Sequence, residues 1–217
     1  MATSQLTVYN NTLILLGQPT LSALTDSVEN RRILDKIWDE NARDHCLEQG
    51  LWNFAMRTSE VNYDAAVTSP DFGFQYAFSK PTDWIRTVDL AGDEYFRNPL
   101  THLDYVDEQG YWWSDRTVIY LRYISNDTSY GYDLSLWPQS FVRYVEAYLA
   151  EMIAPRLNVS EDKLLAMMKI TQRRLVDARS KDALNEGAKF FPVGSWVRAR
   201  RGGGGRSDRG VRNRLTE

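Results

Sequence analysis

LDYVDEQGYWWSDRTVIYLRYI, residues 103–124, is too punctuated to be a helix. Turn residues fall at Glu108-Gln109-Gly110 and Ser114-Asp115, and the short runs between them are rich in Tyr, Trp, Val and Ile. The stretch reads as successive antiparallel strands. Thr117, Ile119, Leu121 and Tyr123 fall on one face, and Val118, Tyr120, Arg122 and Ile124 on the other.

The same character extends outward over residues 56–132, where Ser69-Pro70, Lys80-Pro81 and Asn98-Pro99 mark further turns. Helical spacing takes over on both sides. In SQLTVYNNTLILL, residues 4–16, Leu6, Tyr9, Leu13 and Leu16 recur at helical intervals, and Gly17 with Pro19 stops the pattern. A second helix is predicted from TDSVEN, where Asp26 and Glu29 form a capping box. It continues with Ile33, Leu34, Ile37, Trp38, Ala42 and Cys46 on one broad face and stops at Gly50.

After SLWPQS, Pro138 suits a first turn, and Phe141, Tyr144, Val145, Tyr148, Leu149 and Met152 form the expected buried stripe, which Pro155 ends or kinks. The last helix has Ser160 as N-cap and Glu161 and Asp162 in its first turn, then carries Leu164, Leu165, Met168, Leu175 and Val176 and closes at Gly187. The predicted fold class is α+β, mainly α: a helical bundle of about four helices with an antiparallel β insertion and an extended C-terminal tail. The corresponding segments are 1–55, 56–132, 133–187 and 188–217.

At 217 residues the chain can bury a real core without a staple. The single cysteine, Cys46, rules out an internal disulfide framework, and with only His45 and His102 beside it, a Cys/His zinc cluster of ordinary spacing. No secretory signal opens the chain and no apolar run is long enough to span a membrane, so a soluble protein of a reducing cytoplasm is expected.

Charge is divided unevenly. From residue 188 onward there are eight Lys/Arg against Asp208 and Glu217. Of the 26 Lys/Arg and 29 Asp/Glu in the chain, residues 1–187 therefore keep 18 and 27, a net charge of −9. The tail first carries an apolar knot (Phe190, Phe191, Val193, Trp196, Val197), then four glycines at 202–205 among Arg198, Arg200, Arg201, Arg206, Arg209, Arg212 and Arg214. Alone, such a composition favours disorder. Arginines with aromatics suit nucleic acid or a membrane interface. An apolar anchor with a basic extension suits the groove of a protein partner, and a solubilising end is the bland reading.

The search for chemistry finds no dinucleotide fingerprint, phosphate loop, HExxH or GxSxG. GGGGRS, beginning at Gly202, lacks the lysine and the strand-to-helix context of a phosphate cradle. His45 and Cys46 are neighbours on a helix and point about 100° apart, which prevents the hydrogen bond a nucleophile and its base require. Carboxylate pairs such as Asp104 with Asp107 or Asp35 with Asp39 read as solvated faces rather than as a glycosidase pair.

Several stretches together resemble the head-to-tail adaptor family of short-tailed bacteriophages, the tail tubular protein A group. TVYNNTLILLGQPTLSALTDSVENRRIL is similar to the family's opening helices. RDHCLEQGLWNFAMR resembles its WNFA-R element (Trp52, Asn53, Phe54, Ala55, Arg57), with Leu51 where the family often has Pro. FQYAFSKPTDWIR resembles its Tyr-Ala-aromatic, Pro-x-Asp, Arg pattern (Tyr76, Ala77, Phe78, Pro81, Asp83, Arg86). IYLRYI is similar to the closing strand, and YLAEMIAPRLN to the third helix. The resemblance covers about residues 5–185, and order and spacing carry it; the tail lies outside.

The resemblance implies a non-enzymatic structural protein of a phage virion, made in the host bacterial cytoplasm. It would form a homo-oligomeric ring of twelve copies at the head–tail interface, between the portal protein and the tail nozzle or tail tube protein. DNA would pass through the lumen without specific binding, and neither cofactor, metal nor membrane would be involved. Trp52, Phe54, Trp84 and Arg86, with the other motif residues, are expected to serve fold or ring packing. Phe190, Phe191, Trp196 and the tail arginines are expected to dock on the portal. The alternatives are a nucleic-acid-binding protein with an Arg/Gly-rich tail and a tail-associated peptidoglycan hydrolase.

Overall fold

Helix α1 (Gln5–Leu16) is bounded as its sequence dictates. The Ser4 hydroxyl accepts the Thr7 N–H at 3.2 Å, and Gly17 takes a left-handed conformation (φ 72°) that returns the chain's N–H groups to the helix's last carbonyls. The computed structural model describes residues 3–68, 70, 73–157 and 160–185. Four further helices follow: α2 (Glu29–Ile37), α3 (Arg43–Glu48), α4 (Gln139–Ile153) and α5 (Glu161–Asn185). Six strands lie between α3 and α4: β1 (Met56–Asn62), β2 (Tyr76–Ser79), β3 (Trp84–Ala91), β4 (Tyr105–Glu108), β5 (Tyr111–Ser114) and β6 (Val118–Ser125). The architecture is α+β, a helical bundle interrupted by a β insertion.

The expected second helix is α2 and α3 joined by a π-helical turn, Trp38–Ala42. Through it Leu34, Trp38, Ala42 and Cys46 all reach the core. The Trp38 ring meets Tyr9 edge-on at 5.8 Å and Trp137 at 6.0 Å. The capping box does not form. Asp26 instead accepts the N–H groups of Ser22 and Ala23, closing a turn before the helix, and Val28 stands at the N-cap position without a side-chain bond. A carboxylate within reach of two free N–H groups in its own turn satisfies them first.

Helix α4 is the centre of the bundle, buried on nearly every side. Two expectations about apolar faces are corrected. Met152 is 46% exposed and Ile153 takes the buried place at that end of α4. On α5, Leu165, Met168 and Val176 are about half exposed or more, while Thr171, Ala178 and Asp182 face inward. Thr171 bridges to α4 by donating to the Ala147 carbonyl at 3.2 Å. Leu164 and Leu175 pack against the bundle core as expected.

The strands form two antiparallel three-stranded sheets, ordered β1-β6-β3 and β2-β5-β4. Gln109 and Gly110, both at positive φ, make the tight turn between β4 and β5. The alternation expected for β6 is observed: Ile119, Leu121 and Tyr123 enter a core shared with Phe78 and Trp112 of the second sheet. Ile124, of opposite parity, enters the bundle core with Trp52, Phe141 and Leu149. One strand thus contributes to both cores.

Two predictions follow from this packing. Gly131 donates its N–H to the Ser125 carbonyl at 3.1 Å, and a Cβ at Gly131 would press on that same oxygen and on Leu47. Gly131→Ala should therefore destabilise by about 1–3 kcal/mol in denaturant titration. Burial raises the pKa of Glu146 above its ordinary 4.5, outweighing the hydrogen bond from Asn11 and the charge of Arg174. A raised carboxylate pKa disfavours the charged folded state at neutral pH. Glu146→Gln should raise Tm at pH 7, with the gain shrinking as pH falls toward 4.5 and the wild-type carboxyl takes up its proton.

Candidate assembly interface

The two motif stretches, separate in sequence, meet where the β insertion joins the bundle. Trp52 is fully buried, its indole N–H donating to the Cys46 carbonyl at 3.1 Å and its ring 4.8 Å from that of Phe141. Gly50 lets the indole lie against the backbone, since a Cβ there would come within 2.6 Å of the ring. Phe54 packs on Phe141 at 4.9 Å. Asn53 ties the junction to α5: its backbone N–H donates to the Asp182 carboxylate at 3.1 Å and its side-chain amide to the Asp182 carbonyl at 3.0 Å.

From Ala55 the chain enters β1, and Arg57 forms an ion pair with Asp83 at 2.8 Å. The Asp83 carboxylate also accepts the hydroxyls of Ser125 at 2.5 Å and Tyr123 at 3.0 Å. Asp83, Arg57, Tyr123 and Ser125 thus bind β1, β6 and the start of β3 into one polar joint. Burial raises the Asp83 pKa, but the hydrogen bonds from Ser125, Arg57 and Tyr123 together outweigh it and the net direction is down. Burial, then the bond to Asp83, pushes the Tyr123 hydroxyl up to about 12.

The other motif residues surround the joint. The Pro81 carbonyl accepts the Trp84 N–H at 3.0 Å. The Trp84 ring lies under the Lys80 ammonium at 4.0 Å, and the Arg86 guanidinium donates to the Glu48 carbonyl at the end of α3 at 3.0 Å. Tyr76 is farther off, half-buried against Tyr63 at 4.8 Å. Sequence reading did not single out Ser125, Tyr123, Asp182 or Arg179. They are 40 to 130 positions from their partners, and no local pattern, including the strand alternation that holds Tyr123, signals those pairings.

A groove lies beside the joint, at Trp84 and Arg86. A cavity of about 410 Å3 is lined by His45, Trp84, Ile85, Arg86 and Arg179 among others, with Arg179 donating to the Gln49 carbonyl. A second, of about 390 Å3, shares His45 and Gln49 with it and continues past Tyr148 to Leu165, Met168 and Leu175 on α5. His45 stacks on Tyr148 at 4.7 Å. Cys46 is buried and its thiol pKa is pushed up by that burial, so it is a poor thiolate.

Among the described residues no group of three His, Cys, Asp or Glu is placed to hold a metal, and no helix is long and apolar enough to cross a membrane. Asp35 pairs with Arg31 at 2.8 Å and Asp107 with Lys80 at 2.9 Å. The expected docking residues Phe190, Phe191, Trp196, Arg198, Arg200, Arg201, Arg206, Arg209, Arg212 and Arg214 lie outside the described residues.

Asp83→Asn keeps the shape of the joint and removes its charge, and should cost about 1–3 kcal/mol at pH 7. A lowered carboxylate pKa contributes stability that is present above its unfolded value, here near 3.8, and is lost as pH falls through the folded value. The difference between Asp83→Asn and wild type in thermal unfolding should therefore close below about pH 3.8. No protein-family model and no curated protein matches this chain.

Proposed function

We propose that this chain is a structural head-to-tail adaptor of a phage virion, a ring subunit that sits beneath the portal, joins head to tail nozzle and lets DNA through. The observation that carries the reading is the joint. The WNFA-R residues and the Pro-x-Asp, Arg residues, two of the stretches whose order and spacing resemble the adaptor family, meet through Arg57 and Asp83 at 2.8 Å. Motifs that act together in one architectural element support a scaffold more than a reaction centre, because their polar groups are spent on one another and on backbone carbonyls.

Charge supports the same reading. A ring that surrounds moving DNA should not hold phosphate, since every Lys or Arg contact would have to be broken as the duplex passes. The net charge of −9 on residues 1–187 meets that requirement, and the one segment with an excess of positive over negative charge is the tail, eight Lys/Arg against two acidic residues. In this reading the tail anchors Phe190, Phe191 and Trp196 on the portal while its arginines meet acidic portal surface. Many copies, each weakly held, act together through their effective concentration.

The test compares the full chain with a version ending at Gly187 for co-sedimentation with DNA-filled, tail-less heads. The full chain should sediment with heads in a fixed ratio to portal, and the shortened chain should lose at least tenfold in apparent affinity with its circular dichroism unchanged. Equal binding by both would overturn the tail's role. Binding of the full chain to free duplex DNA, abolished by the truncation and by salt, would favour a nucleic-acid-binding protein instead.

A further inference from the structure

We propose that the outer face of the second sheet carries a binding site for a small organic cation, an ammonium group bearing alkyl substituents. The site is a cavity of about 350 Å3. Trp113 of β5, Val106 of β4 and Phe74 and Pro70 from the segment before β2 form its apolar walls, and Glu108 and Gln109 at the end of β4 supply its polar groups. Apolar walls with a few polar groups, at this size, are the make-up of a small-molecule site. The proposal does not rest on the ring reading above.

Strand alternation builds the site. β4 and β5 pair so that Val106 lies opposite Trp113 and Glu108 opposite Tyr111, while Asp107 lies opposite Trp112. Trp112 is fully buried in the core shared by the two sheets. Asp107 therefore shares the inner face, and Val106, Glu108, Tyr111 and Trp113 share the outer one. Phe74, Tyr111 and Trp113 are all left half-buried. The rings of Tyr111 and Trp113 have centroids 6.2 Å apart and planes inclined at 59°, which makes a corner rather than a flat stack.

Glu108 supplies the charge. It is exposed and forms no ion pair among the described residues. The cations of the insertion are engaged elsewhere: Arg57 pairs with Asp83, Lys80 pairs with Asp107 on the inner face, and Arg86 donates to the Glu48 carbonyl. Arg97 lies over the Tyr95 ring at 5.2 Å and Arg122 over that of Phe96 at 4.3 Å. Arg116 lies against Gly92 and lines a different cavity with Asp104 and Asp115. A free carboxylate beside aromatic faces attracts a cation twice, by its own charge and by the negative ring faces. A tetrahedral alkylammonium fills a corner between inclined rings, whereas a planar guanidinium is suited to stacking flat on one of them.

The experiment titrates the full-length protein with choline, read by ligand-observed NMR, and compares it with dimethylbutanol, its neutral carbon isostere, and with guanidinium. Choline is expected to bind at least tenfold more tightly than either. Glu108→Gln, at an exposed position, should weaken choline at least tenfold while circular dichroism and Tm stay unchanged. Glu94→Gln removes another exposed carboxylate of the insertion, one that does not line the cavity, and should leave choline binding as it is. Failure of the wild type to bind choline overturns the proposal, as does equal binding of the isostere or tighter binding of guanidinium. An equal loss in Glu94→Gln would show attraction to the acidic surface at large and overturns it too.

Discussion

The carboxylate of Asp83 is the constraint on which the β insertion's place depends. It is mostly removed from water, and a buried carboxylate must be supplied with donors or lose its charge. Arg57, Ser125 and Tyr123 supply them from β1 and β6, so satisfying one charge fixes the first turn of β3 against two other strands. Once that end of the sheet is set, Ile124 is directed into the bundle core, and Arg86 reaches the last turn of α3.

The second half of the junction is apolar. Trp52 fills the space between the bundle and the insertion, with Gly50 giving way to its ring and Phe54 and Phe141 closing around it. Asn53 and Asp182 then fasten α5 to the same point. The chain leaves the bundle after α3 and returns to it at α4, and both crossings lie within reach of this cluster, where Trp137 meets Phe141 at 4.9 Å.

Local chemistry was legible in the sequence. Gly17, Pro138 and the Gln109-Gly110 turn mark element ends by backbone conformation alone, and the period-two pattern of β6 assigns its faces correctly. What required the structure was the choice between equally periodic alternatives. Helix α5 carries apolar residues over a broad arc, and periodicity does not say that Thr171 and Ala178 will face α4 while Leu165 and Met168 face outward. The capping box is lost to a local competitor that the pattern does not weigh, the N–H groups of Ser22 and Ala23 that Asp26 accepts in the preceding turn. Of the candidate site, the motif residues were legible one by one; that Arg57 and Asp83 touch was not, because their pairing is a long-range contact.

We propose an adaptor subunit whose β insertion is fixed to its helical bundle by the Arg57–Asp83 joint and the cluster around Trp52. Electron cryo-microscopy of the full-length protein incubated with portal-bearing, DNA-filled heads lacking tails tests that account most directly. The account predicts a closed ring of density coaxial with the portal and absent from heads without added protein. Density scattered along released DNA, or no density at the portal vertex at saturating protein, would contradict it.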